Sequence, residues 1–237
     1  MRISRVLLGA VAAAQVAYGQ LPGRRGPRST RALVVLMTAS SLAEAVEARG
    51  VRRGAGAVGA AGAIGFAAEL AGVATGKPFG PYHYTEKLGP RVGGVPLLAA
   101  AAWALMARPA WVTAGRLTRR RWPRTALAAG ALTAWDVFLD PRMARDGYWV
   151  WPGGGRYEGV PASNFLGWFA VGSVVFAVWP LIDAGEGDDD LALGFYAWTW
   201  AGESFAHAVL WQRPRVALAG SLAMGAFAAP ALWRRLR

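Results

Sequence analysis

Apolar stretches of about twenty residues recur along the chain, and this recurrence constrains the fold more than any other feature. A helix needs about 20 mostly apolar residues to cross a bilayer. Candidate spans cover residues 3–20, 32–48, 55–75, 95–114, 125–140, 164–182, 191–211 and 216–233. Pro and Gly mark several of the breaks, and Pro141 is expected to end the fifth helix after Asp140. The pattern predicts an all-α fold, a polytopic integral membrane helix bundle of about seven or eight transmembrane helices.

Composition and charge support lipid as the solvent of this bundle. Only 17% of the residues are charged, below the roughly 25% that is usual for soluble domains. The net charge of +12 comes from short arginine clusters between apolar stretches, which is typical of anchors against anionic headgroups rather than of a nucleic-acid site. The chain has no cysteine, so disulfides, thiolate nucleophiles and cysteine-ligated metals are excluded. We expect one transmembrane domain over residues 1–237, with its site between about 55 and 211.

Two properties stay open at this point. Lysine and arginine are distributed nearly evenly between the two sides, so the positive-inside rule does not orient the protein. The first apolar stretch is interpreted as a retained helix, with a cleaved signal peptide as the alternative.

Charged or titratable side chains inside predicted spans are costly, at about 2.5–3.5 kcal/mol each for a charge on insertion scales. Counting crossings puts the ends of the third, fifth and seventh helices on one side of the membrane. Most of the charged or titratable residues within the predicted spans lie toward that side, and Glu44 lies near the opposite side. The acidic run over residues 183–190 is predicted to be a solvated loop there too. The residues within the predicted spans are Glu44, Glu69, Asp136, Asp140, Glu203 and His207.

Two aromatic, Gly- and Pro-rich loops, residues 76–90 and 141–161, follow the third and fifth helices. An interfacial aromatic belt would explain single Tyr and Trp residues there. It accounts less well for charged and imidazole groups in the same loops, so we interpret the two loops as the lid of a site. Candidate substrate-binding residues in and next to them are Tyr82, His83, Tyr84, Arg142, Tyr148, Trp149, Trp151 and Asn164.

Several motifs together resemble a family of membrane proteins of carotenoid biosynthesis. They are FGPYHYT (79–85), LGP (88–90), GVP (94–96), DVFLDPRM (136–143), GYWVW (147–151) and YEGVPASNFLGW (157–168). The family includes carotenoid 1,2-hydratases of the bisanhydrobacterioruberin and γ-carotene type. The resemblance implies an enzyme that adds water to the terminal double bond of an acyclic (ψ) carotenoid end group, which gives a tertiary alcohol.

This chemistry needs a proton donor, a group that orients water, and aromatic faces beside a tertiary carbocation. A carboxyl in apolar surroundings is a suitable donor, because burial disfavours the charged form. We expect Asp136 or Asp140 to donate the proton, and Glu69 or Glu203, with His207, to orient the water. No cofactor and no metal is required. The expected partners are a carotenoid from the lipid phase, membrane lipids and other enzymes of the pathway, but not nucleic acid, and the expected location is the cell membrane, crossed several times.

Three alternatives remain at this stage. The spacing of Asp136 and Asp140 resembles half of the Asp-rich pair of a magnesium-dependent membrane prenyltransferase. A carotenoid-binding membrane protein without catalytic activity would explain the aromatic residues. A di-iron hydroxylase is disfavoured, because the chain has two histidines and neither lies in a Glu-x-x-His motif.

Overall fold

The computed structural model describes residues 2–21, 25–183 and 190–236. Within these residues it confirms the all-α fold, with eight α-helices. The first helix has the predicted bounds, and the others differ from the predictions by a few residues at one or both ends. In chain order they are α1 (Ile3–Gln20), α2 (Pro27–Arg49), α3 (Gly56–Thr75), α4 (Leu97–Leu117), α5 (Arg121–Arg145), α6 (Ala162–Ile182), α7 (Asp190–Phe205) and α8 (Pro214–Leu236).

Short irregular elements extend or connect these helices. A π-helical turn, Val51–Ala55, leads directly into α3, and a second one, Ala206–Leu210, continues α7. Four strands of two residues lie in the loops: β1 (His83–Tyr84), β2 (Arg91–Val92), β3 (Val95–Pro96) and β4 (Trp149–Val150). β1 pairs with β4 and β2 with β3, both antiparallel, so the two aromatic loops are hydrogen-bonded to each other.

Four helices of the described chain are long and apolar enough to cross a membrane, judged by length and composition. They are α3 with its preceding π-helical turn, α4, α6 and α8. Apolar side chains face outward from two of them, including Leu166 and Leu181 on α6 and Leu222 on α8. Such surfaces suit lipid rather than water. The total of seven or eight crossings remains a prediction.

Helix α4 is the central element of the bundle. It packs against α2, α3, α5, α7 and α8, and most of its residues are buried. Small residues allow neighbouring helices to approach it closely. An added Cβ on Gly62 of α3 would lie 3.1 Å from the carbonyl oxygen of Ala100, and one on Gly65 would lie 2.1 Å from the Trp103 ring. Helix α3 therefore contacts α4 through positions that hold no side chain.

The expectation that Pro141 ends the fifth helix is wrong, because α5 continues to Arg145. A proline cannot donate to the carbonyl four residues earlier, which leaves the Val137 oxygen without its helical partner. The Tyr157 hydroxyl donates to that oxygen across 3.1 Å. Pro180 in α6 likewise leaves the Phe176 oxygen, four residues earlier, without its helical partner. The Thr125 hydroxyl donates to that oxygen across 3.2 Å. Arg142, predicted in a loop, therefore lies on a helix.

The opposite end of the bundle holds a buried ionic cluster. Glu44 of α2 accepts a two-pronged contact from Arg108 of α4, with one Nη2 to Oε1 distance of 3.1 Å. Arg49 contacts Asp183 at the end of α6 across 2.6 Å. The prediction that the acidic run over 183–190 is simply solvated is wrong for Asp183, whose side chain is only 3% exposed. Residues 184–189 lie outside the described residues.

Candidate functional site

A cavity of about 330 Å³ opens between α3, α4, α5, α6 and α7, with α1 and α2 along one side and the paired loops over it. Its wall is mainly apolar and aromatic. Nine of the predicted site residues line it: Glu69, Tyr82, Tyr84, Asp140, Arg142, Trp149, Trp151, Asn164 and Glu203. The cavity therefore brings together carboxylates from three helices and the aromatic side chains of both loops.

Glu69 is held on the cavity wall by three hydrogen-bond donors. The Trp103 indole donates to Oε1 across 3.0 Å, the Tyr84 hydroxyl donates to Oε2 across 2.9 Å, and the Tyr82 hydroxyl also donates to Oε2. A carboxylate offers about four lone-pair directions, so one acceptor position remains. Glu69 is thus fixed in orientation and keeps capacity to accept from one further donor.

The donors to Glu69 keep their protons. Burial, together with the nearby Glu69 carboxylate, raises the pKa of the Tyr82 hydroxyl. The same causes raise the pKa of the Tyr84 hydroxyl well above its ordinary value. Both tyrosines therefore act as hydrogen-bond donors at any physiological pH.

Asp136 and Asp140 place two further carboxyl groups side by side, one helical turn apart on α5. The Asn164 amide of α6 donates to Asp136 Oδ2 across 2.9 Å and also to Asp140 Oδ2. Both Oδ2 atoms lie at the same amide nitrogen, so the two carboxyls are close to each other. Asp136 Oδ1 has no hydrogen-bond partner among the described residues. Asp140 lines the cavity, and Asp136 lies behind it.

Aromatic rings complete the wall around these carboxyls. Trp103 stacks on Trp168 with ring centroids 4.0 Å apart. Tyr84 packs edge-on against Trp149 at 5.7 Å, and Tyr82 lies 5.9 Å from Trp151. The electron-rich faces of such rings attract a cation, and their bodies exclude bulk water.

A third polar group lies toward α7. Glu203 Oε1 lies 3.7 Å from Arg142 Nη1, and Glu203 Oε2 lies 3.5 Å from His207 Nε2. The His207 ring is fully buried, stacks on Phe138 and packs edge-on against Trp211. Glu203 and Arg142 face the cavity, whereas His207 supports them from behind.

Three further residues of the predicted set lie away from the cavity wall. Asp136 is behind Asp140, as described above. His83 is exposed on the outer side of β1. Tyr148 is buried, and its hydroxyl donates to Thr30 of α2 across 2.7 Å, beside the cavity rather than in it. The alternation of a two-residue strand explains the difference between His83 and Tyr84, since neighbouring side chains point to opposite faces.

Trp103 and Trp168 are not among the predicted site residues, although both line the cavity and the Trp103 indole donates to Glu69. Both lie inside predicted spans, where a tryptophan is interpreted first as packing. One signal could have identified Trp103. It stands on the helix that follows the first aromatic loop, in a stretch otherwise composed of alanine and leucine.

The carboxyl groups do not form a cluster of metal ligands. Among the described residues, no three His, Asp or Glu side chains converge as a cation site requires. The amide N–H of Asn164 faces the shared oxygens of the Asp136 and Asp140 pair, and a donor there repels a cation. A second Asp-rich stretch precedes α7, and its described residue, Asp190, contacts Arg116 and Arg235 away from this cavity.

The fold and the cavity define a helical membrane protein with carboxyl groups on the wall of an apolar, aromatic cavity. The chain belongs to the family described as "Carotenoid biosynthesis protein", which matches residues 29–225. A bisanhydrobacterioruberin hydratase from Haloarcula japonica is similar, with 31% identity over 114 residues. That match covers 46% of this chain and 39% of the relative, so the chain matches about two fifths of the relative's length. No solved structure matches the chain. Membership of this family gives the protein a role in carotenoid biosynthesis.

Proposed function

We propose that the protein is a carotenoid hydratase of the cell membrane, which it crosses several times. It adds water to the terminal double bond of an acyclic (ψ) end group and forms a tertiary alcohol. One observation carries the proposal: the Asn164 amide bridges two buried carboxyls, Asp136 and Asp140, and Asp140 faces an apolar, aromatic cavity that also holds Glu69. The similarity to a named hydratase supports the same reaction class.

The carboxyl pair is the proposed acid. Both carboxyls are buried away from water and lie close together, and both are neutral acids before the reaction, because burial and the neighbouring carboxyl each disfavour the charged form. Asp140 lines the cavity and Asp136 does not, so Asp140 delivers the proton. Asp136 keeps its own proton, and this neutral carboxyl and the Asn164 amide stabilise the Asp140 carboxylate that remains. Asn164 thus acts as a positioning residue.

The reaction proceeds through a tertiary carbocation. The π electrons of the double bond form a new C–H bond with the proton of Asp140 at the less substituted carbon. Positive charge develops on the carbon that carries two methyl groups. The aromatic rings of Trp149, Trp151 and Tyr84 line the same cavity and stabilise that charge.

Water then captures the cation. Its oxygen forms the new C–O bond, and the proton that the bound water loses returns to Asp140, which restores the acid. Glu69 has one acceptor position left, so it orients the water as a hydrogen-bond acceptor. No electrons are gained or lost overall, and the product differs from the substrate by one water.

The cavity is suited to one end of the substrate. Its volume of about 330 Å³ lies at the lower limit of ligand pockets, which holds an end group but not a whole carotenoid. The remaining polyene would extend into lipid between the helices. The substrate therefore enters laterally, from the membrane rather than from water.

Expression in a lycopene-producing host tests the reaction. We expect pigments that are heavier than lycopene by one water, and the added oxygen should come from isotopically labelled water. A pigment whose oxygen comes from labelled O₂ would assign the protein to the hydroxylases instead. Pigment that binds to the purified protein and is recovered unchanged under all conditions would favour the non-catalytic alternative.

A further inference from the structure

A second, polar recess of about 460 Å³ lies beside the cavity, at the same end of the bundle as the aromatic loops. We call it the basic recess. It is formed by the end of α1, the segment before α2, the first aromatic loop, the end of α5 and the segment between α7 and α8. Its lining includes Tyr18, Asp146, Leu210 and Trp211 together with several cations. The proposed hydration does not use it.

The basic recess has a surplus of positive charge. Five cations line it, Arg25, Lys87, Arg142, Arg145 and Arg213. Among the described residues, three carboxylates balance them: Asp146 in the lining, Glu203 beside Arg142, and Glu158 at 3.0 Å from Arg213. Arg25 and Lys87 donate to backbone carbonyls, of Gly19 and Asp146 respectively. About two positive charges are left without a counter-charge, and such crowding is unfavourable unless an anion neutralises it.

Buried donors also point to a ligand. The Arg213 side chain is only 7% exposed, and its Nε has no hydrogen-bond partner among the described residues. The Nε of Arg142 and the Nε1 of Trp211 likewise have none there. Buried donors normally find an acceptor. An oxygen-rich anion in the recess would supply acceptors for them.

The position of the basic recess favours an anion that carries an apolar chain. Tyr18, Arg142, Leu210 and Trp211 line both the recess and the apolar cavity. The Arg142 guanidinium lies 5.3 Å from the Trp211 ring and 5.8 Å from the Tyr18 ring. Arginine, tryptophan and tyrosine side chains together are typical of headgroup depth. A charged headgroup in the recess would leave its chains next to the cavity opening.

We propose that the basic recess is a binding site for a phosphate group, carried by an anionic phospholipid at the edge of the cavity. Arginine and lysine donors suit phosphate oxygens. A phosphodiester and the nearby cations neutralise each other where lipid meets water. The site does not depend on the hydratase reaction, and it exists whether or not the protein alters carotenoids.

Native mass spectrometry of the purified full chain tests the site. The protein is presented with equal amounts of phosphatidylglycerol and phosphatidylcholine in mixed micelles. We expect phosphatidylglycerol to be retained preferentially. The double variant Arg25→Gln/Arg145→Gln should reduce that preference at least about tenfold, since each cation near an anionic headgroup contributes on the order of 1 kcal/mol.

A control variant separates a site from general surface charge. Arg52→Gln/Arg53→Gln removes the same charge from exposed positions in the π-helical turn before α3, away from the recess. The proposal expects no change in lipid preference for this variant. The proposal would be overturned if both double variants lost the preference for phosphatidylglycerol to the same extent. It would also be overturned if the unmodified protein showed no such preference.

Inorganic phosphate identifies the source of the phosphate group. If millimolar phosphate displaces phosphatidylglycerol from the unmodified protein, the recess accepts free phosphate. If phosphatidylglycerol stays bound, the lipid is the ligand. Both results support a phosphate site. Loss of hydratase activity in any of these variants has no bearing on it.

Discussion

The amide nitrogen of Asn164 donates to Oδ2 of Asp136 across 2.9 Å and thereby joins α6 to α5 inside the bundle. The same amide reaches Asp140, so one side chain orients both carboxyls of the proposed acid. Neither helix could hold this arrangement alone. The geometry of the site therefore depends on how α5 and α6 pack against each other.

Replacement of Asn164 by leucine should abolish hydration and reduce stability. The substitution leaves two buried carboxyls without their shared donor, which costs about 1–3 kcal/mol. Thermal unfolding in detergent and pigment chromatography measure the two effects. Ser163→Ala, one residue away and exposed, is the control and should behave as the unmodified protein. Normal pigment conversion by Asn164→Leu would contradict the role of the amide.

Alanine substitutions at two glycines of α3 test whether close packing against α3 positions Trp103. A Cβ at Gly65 would lie 2.1 Å from the Trp103 ring, so Gly65→Ala must displace that ring and weaken its hydrogen bond to Glu69. We expect loss of activity and a lower unfolding temperature. Gly59 has no atom within 4 Å of its added Cβ. Gly59→Ala should retain activity and gain up to about 1 kcal/mol of helix stability. Equal behaviour of the two variants would be inconsistent with this account.

Glu69→Gln should impair both activity and stability. Three donors converge on the two carboxylate oxygens, and glutamine replaces one oxygen with an amide that is itself a donor. At least one buried donor then loses its acceptor, at a cost of about 1–3 kcal/mol. Glu86→Gln, at an exposed carboxylate in the loop above, is the matched control. Unfolding temperature and conversion of lycopene, measured side by side, should separate the two variants.

The ionic cluster at the opposite end should affect stability alone. Glu44→Gln leaves Arg108 buried with a weaker partner, and breaking a buried pair costs about 3–5 kcal/mol. Activity per folded molecule should stay unchanged, because neither residue lines the cavity. The double variant Glu44→Leu/Arg108→Met should recover much of the stability, since it removes both charges. A double variant no more stable than Glu44→Gln would show that the pair itself stabilises the bundle.

Helix parity explains why much of the site could be predicted from the sequence. Glu69, Asp140 and Glu203 lie near the ends of three helices that run in the same direction, so counting crossings places them together. The length of α5 could not be predicted in this way, because the carbonyl that Pro141 leaves without a helical partner accepts from the Tyr157 hydroxyl, in the loop that follows the helix. The orientation of His83 also required the structure. Its exposure follows from the pairing of β1 with β4, which no local pattern indicates.

The partners of the carboxyls were the least predictable part. Sequence identifies costly buried acids but not the groups that bind them. Trp103 of α4 and Asn164 of α6 reach the site through tertiary packing, from helices that are separated in sequence from the acids they contact. The resemblance indicated the reaction class. The distinction between Asp140 on the cavity wall and Asp136 behind it comes from the structure.

The rate of lycopene hydration by Asp140→Asn tests the central claim most directly. The comparison uses membranes with equal amounts of folded protein and Asp190→Asn as the control, because Asp190 bonds Arg235 away from the cavity. The account predicts that Asp140→Asn forms at least about a hundredfold less hydrated product, as expected when a general acid is lost, and that Asp190→Asn forms normal amounts. Normal hydration by folded Asp140→Asn would contradict protonation by this carboxyl.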